Sequence, residues 1–211
     1  YMKIESLIFD MDGTLWDSAK NVADSWNVIL DKYDDVKFRV TEADIYGVMG
    51  MPMDAIADKF FGDFSKERRM ALLDECGNYE NEYLELHGGK LFDGLEDTLK
   101  KLSEGHRLFI VSNCQSGYIE AFLKHYGFGK YFTDILCWGD TKKPKGDTIR
   151  ILMYKNDIDA ARAAYVGDTQ GDCDSTYYAG IRFIHAAYGF GTADRMDASI
   201  NSITELPDIV K

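Results

Sequence analysis

Asp10 and Asp12 stand two residues apart, directly after the largely apolar run Ile4-Glu5-Ser6-Leu7-Ile8-Phe9, and are followed at once by Gly13 and Thr14. In extended backbone, side chains two apart share a face. Gly13 permits a sharp turn, and Thr14 adds a hydroxyl. Three other polar groupings come much later: Ser112-Asn113, Lys142-Lys143-Pro144-Lys145, and Gly167-Asp168-Thr169-Gln170-Gly171-Asp172. Singly, each has a plain structural reading, as a turn former, a helix cap or a solvated loop. Together, carboxylates, a hydroxyl and a lysine suit phosphoryl transfer through a carboxylate nucleophile. In that chemistry an aspartate attacks phosphorus and forms an acyl phosphate. A hard divalent cation with oxygen ligands, most naturally Mg²⁺, offsets the repulsion between carboxylate and phosphate dianion. A hydroxyl, backbone N–H groups and a lysine hold the equatorial oxygens. A second acid protonates the leaving oxygen and later deprotonates water.

The set works only if the fold brings it together, and the hydrophobic pattern predicts that it does. Residues 4–9 read as a buried strand. Arg107–Val111, Ile135–Trp138, Ala163–Val166 and Ile181–Ile184 read as further strands, separated by helices over 117–126, 147–156 and up to Gly180. Alternating strand and helix implies a parallel sheet with helices on both faces. Ligands of such sheets bind beyond the carboxyl ends of the strands. The polar groupings fall at those ends or in the loops leading from them.

Between the first strand and the others the pattern is helical. Val22, Trp26, Ile29 and Leu30 recur at helical spacing, Thr41 with Asp44 reads as a capping box, and Met51-Pro52 breaks the chain. A further helix carries Ile56, Phe60 and Phe61. Ser65 caps a long helix whose stripe of Leu72, Cys76, Tyr79, Tyr83 and Leu86 is read as a packing seam, ended by Gly88-Gly89. The expected organisation is an α/β core of residues 1–16 and 90–211 with an all-helical cap of residues 17–89 inserted over the first strand.

The 211 residues suffice for a core domain and a small second unit, and 45% hydrophobic residues imply a packed interior. A formal charge of −12 argues against nucleic acid or an anionic membrane as partner. The cysteines at 76, 114, 137 and 173 form no CxxC pair, which argues against a zinc site or disulfide framework and suits a cytoplasmic protein, monomeric or a small homo-oligomer. The histidines at 87, 106, 125 and 185 are dispersed and receive no role.

Asp10-Met11-Asp12-Gly13-Thr14-Leu15-Trp16-Asp17-Ser18 resembles the first motif of the haloacid dehalogenase-like hydrolases, in their phosphatase branch of the phosphoglycolate phosphatase type. Ser112-Asn113 is similar to the second motif and Gly167–Asp172 to the fourth, in an order that covers essentially the whole chain. The resemblance implies a Rossmann-like core with an inserted helical cap, and Mg²⁺-dependent hydrolysis of a small phosphorylated metabolite. It implies Asp10 as nucleophile and metal ligand, Asp12 as acid/base and metal ligand through its carbonyl, Asp168 and Asp172 as metal ligands, and Ser112 with a lysine as phosphate binders. The lysine is either Lys143 or Lys145. Lys145 is favoured, because a side chain at the start of a helix reaches the phosphate without a long loop. Gly13, Thr14, Asn113, Gly50 and Met51 are expected on the substrate side.

Two other readings keep the same core. A phosphosugar mutase differs only in its cap, and a non-catalytic metal- or phosphate-binding module remains compatible with the fold. Neither acidic cluster fits an EF-hand, since the sixth residue is Leu15 counted from Asp10 and Cys173 counted from Asp168. Residues 17–90 hold 16 acidic and 9 basic residues, so the cap itself offers phosphate little attraction.

Overall fold

A computed structural model describes residues 1–211. Its main sheet has six parallel strands: β1 (Ser6–Phe9), β4 (Arg107–Ser112), β5 (Asp134–Cys137), β6 (Ala163–Gly167), β7 (Arg182–Ala186) and β8 (Ala198–Ile200). Their order is β5-β4-β1-β6-β7-β8. β1 is therefore central, with Ile8 opposite Phe109 on one side and Tyr165 on the other. All of its residues are buried, as a strand covered on both faces requires. The sequence pattern gives no hint of β8, a three-residue strand with one buried side chain.

Helices α5 (Leu95–Ser103), α6 (Tyr118–Tyr126), α7 (Trp138–Thr141), α8 (Lys145–Lys155) and α9 (Gln170–Ala179) connect the strands. Two apolar clusters lie across the sheet from one another. The larger includes Leu7 and Phe9 and continues into the inserted helices, and the smaller includes Ile8, Phe109 and Tyr165. The alternation of side chains along β1 divides them.

The insertion leaves through β2 (Trp16–Asp17) and returns through β3 (Lys90–Leu91), which pair antiparallel. Between them lie α1 (Ala19–Leu30), α2 (Glu42–Tyr46), α3 (Met53–Phe61) and α4 (Lys66–His87). The Thr41–Asp44 capping box and the Ser65 cap both form. The seam of α4 differs from its expected phase. Leu72, Leu73, Cys76, Gly77, Glu80 and Leu84 are buried, while Leu86 is 72% exposed. The helix packs on α1 and α3 and also on α6 of the core, so its buried face is set by several partners and includes a carboxylate.

Candidate active site

Three adjacent strands deliver the first groups. Asp10 follows β1, Ser112 ends β4, and Asp168 follows β6. Because β1 lies between β4 and β6, the crossovers diverge at this point and leave a crevice. Lys145 enters from the first turn of α8. Its ammonium is 3.0 Å from Asp10 Oδ1 and 2.6 Å from Asp172 Oδ1. Lys145 is only 5% exposed, whereas the Lys143 side chain lies in solvent. Lys143 therefore does not reach the site. Residues 142–144 form the outside of the loop, and the helix start turns Lys145 inward.

Asp10, Asp168 and Asp172 offer oxygens that lie within 4.8 Å of one another. Burial, then the neighbouring Asp172, push the Asp10 carboxyl well above its usual range, and Lys145 only partly opposes this. Burial and Asp172 likewise raise Asp168, to about 7. Burial alone would ease the proton off Lys145, but Asp10 and Asp172 more than offset it, and the side chain stays charged. Three carboxylates facing one ammonium leave an excess of negative charge that an oxygen-preferring cation suits.

The Asp168 carboxylate is held by one donor on each oxygen. Its Oδ2 accepts the Phe190 N–H at 2.8 Å, and Thr14 Oγ1 donates to its Oδ1 at 3.3 Å. Gly13 has φ +82°, and a Cβ there would sit 2.2 Å from Asp168 Oδ2. At Gly189 a Cβ would meet Asp168 Cβ at 2.3 Å. Both glycines are thus required by close approach, and Gly13 by its backbone as well. Gly13 and Thr14 accordingly serve Asp168 and do not line the cavity, contrary to their expected substrate-side position. Gly13→Ala should cost on the order of 1–3 kcal/mol through the left-handed backbone alone. Chemical denaturation measures this, and an unchanged midpoint would mean that the backbone at residue 13 does not hold the positive φ.

Both Asp172 oxygens take donors. Oδ2 accepts from the N–H groups of Asp168 (3.1 Å) and Thr169 (3.0 Å) and from Thr169 Oγ1 (3.0 Å), and Oδ1 is taken by Lys145. It forms the capping box of α9 while gripping the lysine.

Asp12 faces the other way, toward the insertion. Its Oδ1 accepts from Trp16 Nε1 (3.0 Å), Ser18 Oγ (2.9 Å) and Tyr118 OH (2.6 Å). Burial raises its carboxyl, and these three donors hold the rise back. Oδ2 accepts none of the side-chain or backbone bonds formed here. The sequence pattern gives Tyr118 no role, since its link to Asp12 spans 106 positions. His185, also without an expected role, is buried with Nε2 3.2 Å from the Asp168 carbonyl.

Asp10, Asp12, Ser112 and Asn113 open onto a cavity roofed by the insertion, where Gly50, Met51 and Met53 come down over them. Asn113 Nδ2 donates to the Gly50 carbonyl at 2.9 Å and ties this loop to the core. The family model of the haloacid dehalogenase-like hydrolases matches residues 7–186, which include every strand end that contributes to the site. The chain belongs to this family.

Among full-length relatives, the hydrolase is 25% identical to a phosphoglycolate phosphatase of Photobacterium profundum, over 99% of this chain and 96% of that protein. It is 24% identical to a 5'-nucleotidase of Pseudomonas aeruginosa, over 93% and 89% of the two chains. Of solved structures, a predicted phosphoglycolate phosphatase from Haemophilus somnus superposes with a TM-score of 0.84 at 20% identity, covering 98% of this chain and 97% of that one. A β-phosphoglucomutase from Clostridium difficile has the same fold, with a TM-score of 0.76 at 19% identity and coverage of 96% and 93%. The hydrolase thus has the Rossmann-like α/β core with inserted helices that its motifs imply. No helix is long and apolar enough to cross a membrane, and all four cysteines are free and buried.

Proposed function

We propose that the hydrolase cleaves small phosphate monoesters, with the phosphoryl group carried transiently on Asp10. One observation carries this reading: Asp10, Asp168 and the Lys145 ammonium form a single buried cluster, and Asp10 opens together with Asp12 onto one cavity. The names of the full-length relatives, phosphoglycolate phosphatase and 5'-nucleotidase, support the same class of substrate.

The residues fit a bound Mg²⁺. The donor set is all oxygen, it carries excess negative charge, and Gly13 and Gly189 leave room for Asp168 to stay turned toward Asp10. Asp10 and Asp168 would hold the ion, together with the Asp12 carbonyl that the family resemblance implies. When bound, it supplies charge that offsets the repulsion between Asp10 and the phosphate. Asp172 is assigned to positioning Lys145, whose ammonium its Oδ1 accepts at 2.6 Å while its Oδ2 caps α9.

In the first half-reaction an Asp10 oxygen bonds to phosphorus as the ester P–O bond breaks. Asp12 gives its proton to the departing alkoxide. In the second, Asp12 takes a proton from water, whose oxygen attacks phosphorus and breaks the bond to Asp10. Inorganic phosphate is released, and Asp12 has regained its proton. Lys145 and Ser112 hold the equatorial oxygens throughout. The roof of Gly50, Met51 and Met53 selects the leaving group and excludes bulk water.

The test uses acetyl phosphate, whose leaving group makes minimal demands on the cap, together with a panel of phosphorylated metabolites. Hydrolysis should vanish after exhaustive EDTA treatment and return with Mg²⁺. Turnover that persists in EDTA would remove the metal from the mechanism, and no turnover of any ester would remove the phosphatase reading itself.

A further inference from the structure

Glu80 takes no part in the scheme above, yet it lines the same cavity, 4% exposed, on the face of α4 toward the core. Its carboxylate accepts from Trp26 Nε1 on Oε2 and from Gln115 Nε2 on Oε1 at 3.1 Å. Each oxygen thus keeps acceptor capacity beyond its one donor. Trp26 Nε1, the single N–H of that indole, is spent on Glu80. Gln115 Nε2 is spent on Glu80, Asn81 Oδ1 and the Gly77 carbonyl.

Asn113 adds a second acceptor. Its Nδ2 is fixed on the Gly50 carbonyl, which sets the orientation of the amide, and its Oδ1 is left buried with no partner. A buried polar atom without a partner calls for an explanation. Beyond the phosphate end, no lysine, arginine or histidine lines the cavity, and the rest of its wall is largely apolar: Val22, Ile45, Val48, Met49, Met53 and Ile56.

We infer that Glu80 and Asn113 form an acceptor-lined subsite that selects phosphate esters whose leaving group carries an O–H or N–H donor on a short apolar body, and that it rejects a carboxylated leaving group such as that of phosphoglycolate. This rests on the phosphatase reading and narrows it. A carboxylate placed there would face Glu80 with no cation to offset the repulsion. A hydroxyl or ammonium would instead donate to Glu80 or to Asn113 Oδ1. The cavity measures about 60 Å³. That is a few times the roughly 10–15 Å³ one water requires, which suits a small leaving group.

The experiment compares kcat/KM at pH 8 for four esters of similar size: ethyl phosphate, 2-hydroxyethyl phosphate, 2-aminoethyl phosphate and phosphoglycolate. Acetyl phosphate serves as the common control. At that pH Glu80 is mainly ionised, since burial raises it to about 7. The hydroxyl or the ammonium ester should exceed ethyl phosphate by about tenfold or more, the range expected for a hydrogen bond to a charged group, and phosphoglycolate should fall below it. Which of the two donors leads distinguishes a polyol-like from an amino-alcohol substrate.

Glu80→Gln should then lower the aminoethyl-to-ethyl ratio and raise the phosphoglycolate-to-ethyl ratio. Reading ratios cancels both intrinsic leaving-group reactivity and any general loss in the variant. Should Glu80→Gln fail to fold, the wild-type ranking decides alone. Phosphoglycolate ranking first, or ratios untouched in a folded Glu80→Gln, overturns the subsite while acetyl phosphate hydrolysis leaves the phosphatase reading standing. Loss of acetyl phosphate hydrolysis in the wild type overturns both.

Discussion

Asp10→Asn is expected to abolish turnover on every substrate, whatever its leaving group, because no bond from Asp10 to phosphorus can form. An amide is a far weaker nucleophile than a carboxylate, and good leaving groups do not compensate for that. The fold should survive. Asp10 accepts only the Lys145 ammonium among side-chain donors, and an amide oxygen can still accept it. Removing one of the mutually repelling carboxylates, moreover, relieves charge that burial makes costly. Circular dichroism and the unfolding midpoint check the fold, and phosphate release from acetyl phosphate checks the chemistry. Substantial phosphate release from a pure, folded variant would move the nucleophile elsewhere.

Asp12→Asn should instead separate the two half-reactions. The three donors at Oδ1 direct how an asparagine sits: its amide oxygen takes their side, and its NH₂ replaces Oδ2, which faces no donor. The geometry is kept and the proton carrier is lost. General acid–base help of this kind is typically worth ~10²–10⁴ in rate. An aryl phosphate, whose leaving group hardly needs a proton, should still phosphorylate Asp10, but water would lack its base. Rapid mixing should show a burst of aryl alcohol approaching one per enzyme, followed by a slow steady state. Mass spectrometry should find the phosphate on the peptide containing Asp10. No burst, with metal binding intact, would mean that the two aspartates are assigned the wrong tasks.

The distinction between Lys143 and Lys145 marks where one-dimensional reasoning reached its limit. Both belong to one short basic run, and a helix boundary one turn away decides which of them enters the core. Hydrophobic patterning also misreads α4. The stripe through Leu86 treats the helix as facing one neighbour, yet α4 lies between α1 and α6, and its buried face carries Glu80. A buried carboxylate looks like any surface glutamate until its donors are known, and here they come from Trp26, 54 positions earlier, and Gln115, 35 later. The role of Thr14 is invisible to local pattern for a related reason, since its partner Asp168 lies 154 positions away.

By itself the sequence determined the α/β core, the helical insertion, and the strand ends at which Asp10, Ser112 and Asp168 stand. Those follow from local periodicity and from the rule that a parallel sheet presents its carboxyl ends along one rim. Only the tertiary structure decided which lysine meets Asp10, that Asp172 holds that lysine, that Tyr118 and Ser18 grip Asp12, and that Glu80 and Asn113 line the same cavity as Asp10 and Asp12. Each of these depends on pairings between distant positions. Local pattern carries no information about such pairings, because burial and hydrogen-bond complementarity are settled only when the elements pack.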